Sequence, residues 1–166
     1  VNGHQARAAG EAGVWAALRG GGHVALLRHA LAPGTGDPAE FAIGDCSTQR
    51  NLSDEGRAQA RRIGERLRAN GITAARVFTS QWCRCRDTAA ELGFGAARDL
   101  PALNSFFRRT ERRAPQTRAL KDWLAAQDLS TPVVLVTHQV NISALAGTYA
   151  ASGELVIVRP DADGEV

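Results

Sequence analysis

Strand-like and helix-like segments alternate along the 166 residues, which predicts a single three-layer α/β domain, a mostly parallel sheet with helices on both faces. Two observations carry that expectation. The runs HVALLRHA (23–30) and PVVLVTH (132–138) are almost continuously apolar, as strands buried on both faces of a parallel sheet are. The segments between them place apolar residues at helical spacing. Composition agrees: 44% hydrophobic and 22% charged residues describe a globular chain, not a disordered one, and the length suits one core. No run approaches the ~18 apolar residues of a membrane span.

In chain order, EAGVWAALRGGG (11–22) reads as a short helix stopped by glycines. The first strand follows at 23–30, and residues 31–51 form a long loop containing Gly, Pro and Asp, a candidate binding loop. In LSDEGRAQARRIGERLRANG, Ser53 is the N-cap, Asp54 and Glu55 suit the first turn, and Gly71 closes the end. Ala60, Ile63 and Leu67 form its apolar stripe. ARVFTS (75–80) is a second strand, with a helix beginning straight after it at WCRCRDTAAELG. A third amphipathic helix spans 116–128. The 132–138 strand runs into a helix through NISALAG, and GELVIVRP (153–160) is a last strand suited to an antiparallel edge.

Three of these strands end in polar residues of one kind. The first ends in Arg28-His29, the second leads to Arg84 and Arg86, and the 132–138 strand ends in His138. In an open α/β sheet, ligands bind outside the carboxyl ends of the strands, where helix N-termini also point. Arginines and histidines converging there describe an anion site, and the guanidinium fork suits phosphate oxygens.

The ordered series LLRHA, LSDEGRAQA, TSQWCRCRDTA and VVLVTH, over residues 23–147, resembles the histidine phosphatase superfamily, with its phosphoglycerate-mutase-like fold, in its small bacterial phosphatase branch. The resemblance implies a metal-independent, cofactor-free phosphatase acting on a phosphomonoester or phosphohistidine through a phosphohistidine intermediate. It makes His29 the nucleophile, has Arg28 and Arg84 grip the phosphoryl oxygens, and has His138 complete the pocket. A neutral imidazole is a competent nucleophile, and cationic groups stabilise the charge of phosphoryl transfer.

The chain departs from the family pattern in four places. Ala30 stands where glycine is usual, Gln81 where proline is, and Gln139 follows the late histidine. The family's glutamate general acid has no counterpart: LPALNSFF (100–107) offers Asn104 and Ser105 there. Asp45 is therefore the first candidate acid, with Asp37 the alternative in the same loop and Glu40 and Glu111 behind them.

Other polar residues receive plainer readings. Arg50, Arg57 and Arg86 are expected to be structural or solvated, although Arg50 lies in the loop that can approach the phosphate. His4 and His23 are incidental, and Trp82, Trp123, Phe106 and Phe107 belong to core or pocket wall. Three cysteines are too few for a disulfide scaffold and lack zinc-site spacing with the four histidines. Either all are reduced or, in an exported protein, Cys46 bridges Cys83 or Cys85.

Residues 1–10 are expected to be a flexible N-terminus. There is no methionine and VNGHQARAAGEAG has no apolar signal region; a removed export signal would explain both facts, and so would a cloning remnant. The compartment stays open, with a periplasmic or secreted one preferred. The arginines are spread among acids, which argues against nucleic-acid binding. The expected partner is a phosphorylated small molecule or phosphoprotein, met by a monomer away from any membrane. The rival reading keeps the fold but makes the site a degenerate phosphate-binding or regulatory module. Specificity is assigned to residues 31–51 and 101–117.

Overall fold

The computed structural model describes residues 12–166; the expectation for 1–10, and His4 with it, lies outside them. Five strands, β1 (Val24–Arg28), β2 (Arg76–Thr79), β3 (Arg98–Asp99), β4 (Val133–Thr137) and β5 (Leu155–Val158), form one sheet in the order β3-β2-β4-β1-β5. All neighbours are parallel except β1 and β5, so the antiparallel edge is as expected. Helices α1 (12–19), α2 (Asp54–Ala69), α3 (Cys83–Glu91), α4 (Arg113–Ala125) and α5 (Gln139–Ala146) cover the two faces. No described helix is long and apolar enough to cross a membrane.

The period-2 geometry of the strands divides the core in two. Ala25 and Leu27 of β1 and Val134 and Val136 of β4 face Trp15, Leu67, Ala89 and Leu92. Their alternates Val24, Leu26, Val133 and Leu135 face Leu120, Leu124, Ile142 and Leu145. Each fully buried leucine contributes about 1.5–3 kcal/mol, so the sheet edge that carries the site rests on a rigid floor.

Sequence and structure differ at three elements. β3 is two exposed residues, too short to show any alternation. α4 begins at Arg113 rather than 116, because Pro115 sits in its first turn, where the missing N–H costs nothing. Its end at Ala125 is a tight turn in which Ala126 N–H donates to Trp123 O. α5 begins two residues earlier than the NISALAG pattern, directly after His138, and closes on Gly147 at φ +68°.

Candidate active site

Because β1, β2 and β4 are parallel, their carboxyl ends share one edge. That edge brings together Arg28, His29, Arg84 and His138, all of which line a cavity of about 480 Å³. The sequence motifs explain how they are held. Ser53 caps α2 by accepting from Gly56 N–H, and a side chain on Gly56 would sit 2.1 Å from the Leu31 carbonyl oxygen. Gln59 accepts from Leu31 N–H at 2.9 Å, and Thr88 accepts from Ala30 N–H at 2.9 Å. The LSDEGRAQA and RCRDTA segments thus clamp the two residues that follow His29, and buried Ala30 fits without strain because its φ is not positive.

The His29 ring is fixed by two contacts. Its Nδ1 lies 2.8 Å from the Ala30 carbonyl, an acceptor only, so Nδ1 carries the proton. Nε2 accepts from Arg84 Nε at 3.2 Å and is therefore the unprotonated ring nitrogen, its lone pair held by Arg84 at the cavity wall. Burial is the main reason its pKa is lowered to about 3; the Ala30 carbonyl opposes this, and the positive charges of Arg84, Arg28 and Arg50 add to it. The ring is neutral, as a nitrogen nucleophile must be.

His138 closes the other side, its ring edge-on to His29 with centroids 5.5 Å apart. Ser80 Oγ accepts from Trp82 N–H and lies 2.8 Å from His138 Nε2, so the hydroxyl proton is free to go to that nitrogen. With Ser80 donating to Nε2, the ring proton sits on Nδ1, a buried atom with no partner among the described residues. An unpartnered donor on a cavity-lining ring is ready for a ligand oxygen. Burial, with the positive charges of Arg84, Arg50 and Arg28 adding to it, holds the His138 pKa well below its ordinary value.

The cations differ in their commitments. Arg84 is 4% exposed and pairs with Asp37 at 2.8 Å. Arg28 donates to the Ala150 carbonyl at 2.9 Å and to Tyr149 Oη at 3.2 Å, while its Nε is buried without a partner among the described residues. Arg50, expected to be structural, lines the cavity while its guanidinium donates to the Ala32 and Gly36 carbonyls, with the Asp37 carboxylate close enough to act on its charge. Arg57 pairs with Asp87 and Glu91, and Arg86 with Asp99, as structural residues do. His23 bonds Gly21 locally; Trp123 and Phe106 are core, whereas Trp82 and Phe107 are cavity wall.

The candidate acid requires a correction. Asp45 does not line the cavity: its carboxylate caps the 3₁₀ turn Cys46–Thr48, accepting from Ser47 N–H at 3.0 Å and Ser47 Oγ at 2.6 Å. Glu40 does not line it either, and exposed Glu111 is paired with Arg109. Asp37 is the one carboxylate among the described lining residues, and it is fully engaged. Partial burial works to raise its pKa, but hydrogen bonds from Arg84, Arg50 N–H and Trp82, with the Arg84 charge, outweigh this and hold it below the ordinary value. Asn104 is occupied with Gln81, while Ser105 reaches the wall. Sequence reasoning missed the Asp37–Arg84 pair, because two residues 47 apart carry no local signal of contact. It also missed Tyr149 and the rim arginines Arg108, Arg109 and Arg112, although the last three fall in the segment assigned to specificity.

Cys46 and Cys83 form a disulfide, one of the two pairings foreseen, and Cys85 is a buried free thiol. Burial pushes the Cys85 pKa up to about 12, so it is inert as a nucleophile. The bridge fastens the 31–51 loop to the residue before Arg84, and Cys83 N–H donates to Gln49 Oε1 in parallel. Among the described residues no group of three His, Cys, Asp or Glu side chains is arranged to hold a metal ion.

Comparison with known proteins follows the same line. Residues 24–106, half of the chain, match the model of the histidine phosphatase superfamily, branch 1. No curated protein sequence matches. Among solved structures, the protein histidine phosphatase SixA in complex with tungstate is similar at TM-score 0.59 and 19% identity, over 86% of this chain and 91% of that one. Mycobacterial glucosyl-3-phosphoglycerate phosphatase gives TM-score 0.59 and 19% identity, over 81% and 88%. A phosphoglycerate mutase from Thermus thermophilus gives 0.56 and 20%, over 82% and 92%. These likenesses describe the fold; the matched family model, with its motifs placed around one cavity, carries the assignment. The chain belongs to the histidine phosphatase superfamily, branch 1.

Proposed function

We propose that this protein is a phosphatase working through a phosphohistidine at His29. The observation that carries the reading is the His29 ring, neutral, with Nδ1 bound to a carbonyl and the Nε2 lone pair at the cavity wall, accepting from cationic Arg84. In the reaction, Arg84 turns its N–H from Nε2 to the phosphoryl oxygens, the freed Nε2 lone pair attacks phosphorus in line, and the bond to the leaving group breaks with its electron pair. Arg84, Arg28 and Arg50 receive the phosphoryl oxygens, and the His138 Nδ1 proton supplies a further hydrogen bond. Water then displaces phosphate from His29, which regains its lone pair. None of these steps asks for a metal, and activity is expected to persist in EDTA.

Since the one carboxylate among the described lining residues is tied to Arg84, no side-chain acid there stands ready to protonate a leaving alkoxide. Leaving groups that need little protonation, phenolate or imidazole, are therefore the favoured substrates. The same observation favours a second reading, a phosphate-binding module without turnover. One comparison separates them: steady-state hydrolysis of phenyl phosphate by the wild type and by His29→Ala, with folding checked by circular dichroism. Turnover that His29→Ala abolishes supports the phosphatase; phosphate binding with no turnover in either protein supports the module.

A further inference from the structure

The cavity is charged well beyond what one phosphoryl group requires. Among the described residues six arginines line it, Arg28, Arg50, Arg84, Arg108, Arg109 and Arg112, against the single carboxylate of Asp37. Three of them form the inner group around His29. The other three lie on the exposed segment 108–112 at the mouth. Of this outer group, Arg109 forms an ion pair with Glu111, whose single charge also acts on neighbouring Arg112, so one carboxylate stands against two arginines. Arg108 donates to the Asp37 and Pro38 carbonyls, which leave its charge uncompensated, and Arg112 makes no ion pair among the described residues. A dianionic phosphate held by the inner group leaves the outer group still seeking an anion.

Much of the remaining wall is apolar. Phe41 stacks on Trp82 with ring centroids 4.8 Å apart, and Ile43, Phe107 and Tyr149 line the same cavity. Ile43, Phe107 and Tyr149 are also 38%, 56% and 66% exposed, three of the four large hydrophobic residues that are exposed among those described. Aromatic side chains gathered at a cavity mouth, and scarce elsewhere on the surface, mark a place where a ligand covers them. A volume of about 480 Å³ lies in the range of pockets that enclose a small organic molecule, well above the need of a phosphate ion.

We infer that the substrate is a phosphomonoester with a second anionic group, a carboxylate or phosphate, at the far end of an apolar or aromatic body. The phosphoryl group enters at His29, the body lies against Phe41, Trp82, Phe107 and Tyr149, and the distal anion meets Arg108 and Arg112. This rests on the phosphatase reading above and names its substrate class. The outer arginines are specificity determinants: they act on binding of the leaving group and touch no reacting atom.

The test uses three aryl phosphates whose distal group is insulated from the ring, so that the phenol leaving groups are matched: 4-(2-carboxyethyl)phenyl, 4-propylphenyl and 4-(2-aminoethyl)phenyl phosphate. The expected order of kcat/KM is carboxylate, then propyl, then ammonium, with about a tenfold advantage of carboxylate over propyl, carried mainly by KM and reduced by salt. Within Arg112→Gln and Arg108→Gln the carboxylate-to-propyl ratio falls toward one. Equal rates for the three compounds, or a ratio that both substitutions leave intact, would overturn the inference while leaving the phosphatase reading in place. Hydrolysis of none of them, or hydrolysis that survives His29→Ala, would instead overturn the reading beneath it.

Discussion

The Asp37 carboxylate lies 2.8 Å from the Arg84 guanidinium, and Arg84 in turn donates to the Nε2 atom of His29. A loop residue thereby orients the His29 ring through one intermediary. Arg84 is almost fully buried, so its planar fork stays in one place only if its charge is answered there. Asp37 also accepts from Trp82 Nε1 at 3.1 Å and from Arg50 N–H at 3.1 Å, which joins the loop, α3 and the cavity wall.

Asp37 is thus a positioning residue. Asp37→Asn keeps the shape and removes the charge. It is expected to lower kcat by about 10–100-fold with a smaller effect on KM, because a misaligned Arg84 weakens charge stabilisation in the transition state more than ground-state binding. Vanadate affinity should fall in parallel with kcat. A change confined to thermal stability, with kcat and vanadate binding intact, would reduce Asp37 to a structural role.

Asp45 receives the opposite expectation. Its carboxylate caps the Cys46–Thr48 turn outside the cavity, so Asp45→Asn should leave the ratio of aryl to alkyl phosphate turnover unchanged. With no free carboxylic acid among the described lining residues, kcat/KM for phenyl phosphate is expected to exceed that for an alkyl phosphate of similar size by more than about 10²-fold. Selective loss of alkyl turnover in Asp45→Asn would return the proton to that residue.

Both histidines are buried and neutral, and that links stability to pH. The folded pKa of His29 is about 3, below the value near 6.5 of the unfolded chain, so the unfolded state binds the extra proton. Its contribution is complete above about pH 6.5 and is lost as pH falls toward 3. The slope reaches up to about 1.4 kcal/mol per pH unit for each such histidine, and His138 acts in the same direction. Urea unfolding at pH 7 and pH 5 should show wild type losing more stability than His29→Ala. Equal losses in the two proteins would contradict a neutral, buried His29.

The Cys46–Cys83 bridge closes a separation of 37 residues, for which loop entropy predicts a stabilisation of roughly 2–4 kcal/mol. The loop it fastens carries Asp37 and Arg50. Reduction is therefore expected to lower both Tm and kcat. Under non-reducing conditions, thiol titration should find no reactive thiol in the native protein and one per chain, Cys85, after denaturation. Three thiols in the denatured, unreduced protein would remove the bridge from the account.

How far the sequence reached follows from the range of each interaction. Buried strands such as VVLVT and the Ser53-capped helix are legible because their signals are local: apolar runs, a cap, glycine stops. Arg28, His29, Arg84 and His138 could be grouped because parallel strands deliver their ends to one edge. β3 was not legible, since it owes its pairing to β2 and not to its own two exposed residues. The roles of Asp37, Asp45 and Arg50 were not legible either. Each depends on the path of an irregular loop, where a carboxylate that caps a turn and one that holds an arginine look alike in sequence.

The central claim is the bond between His29 Nε2 and phosphorus. It is tested most directly by mixing the protein with excess phenyl phosphate, quenching in alkali within the first turnovers, and locating the modification by peptide mass spectrometry. The account predicts one alkali-stable, acid-labile phosphoryl group on the peptide containing His29, formed before phosphate release reaches steady state and absent from His29→Ala. Turnover with no phosphorylated His29 at any time, or a phosphoryl group found on His138 instead, would contradict it.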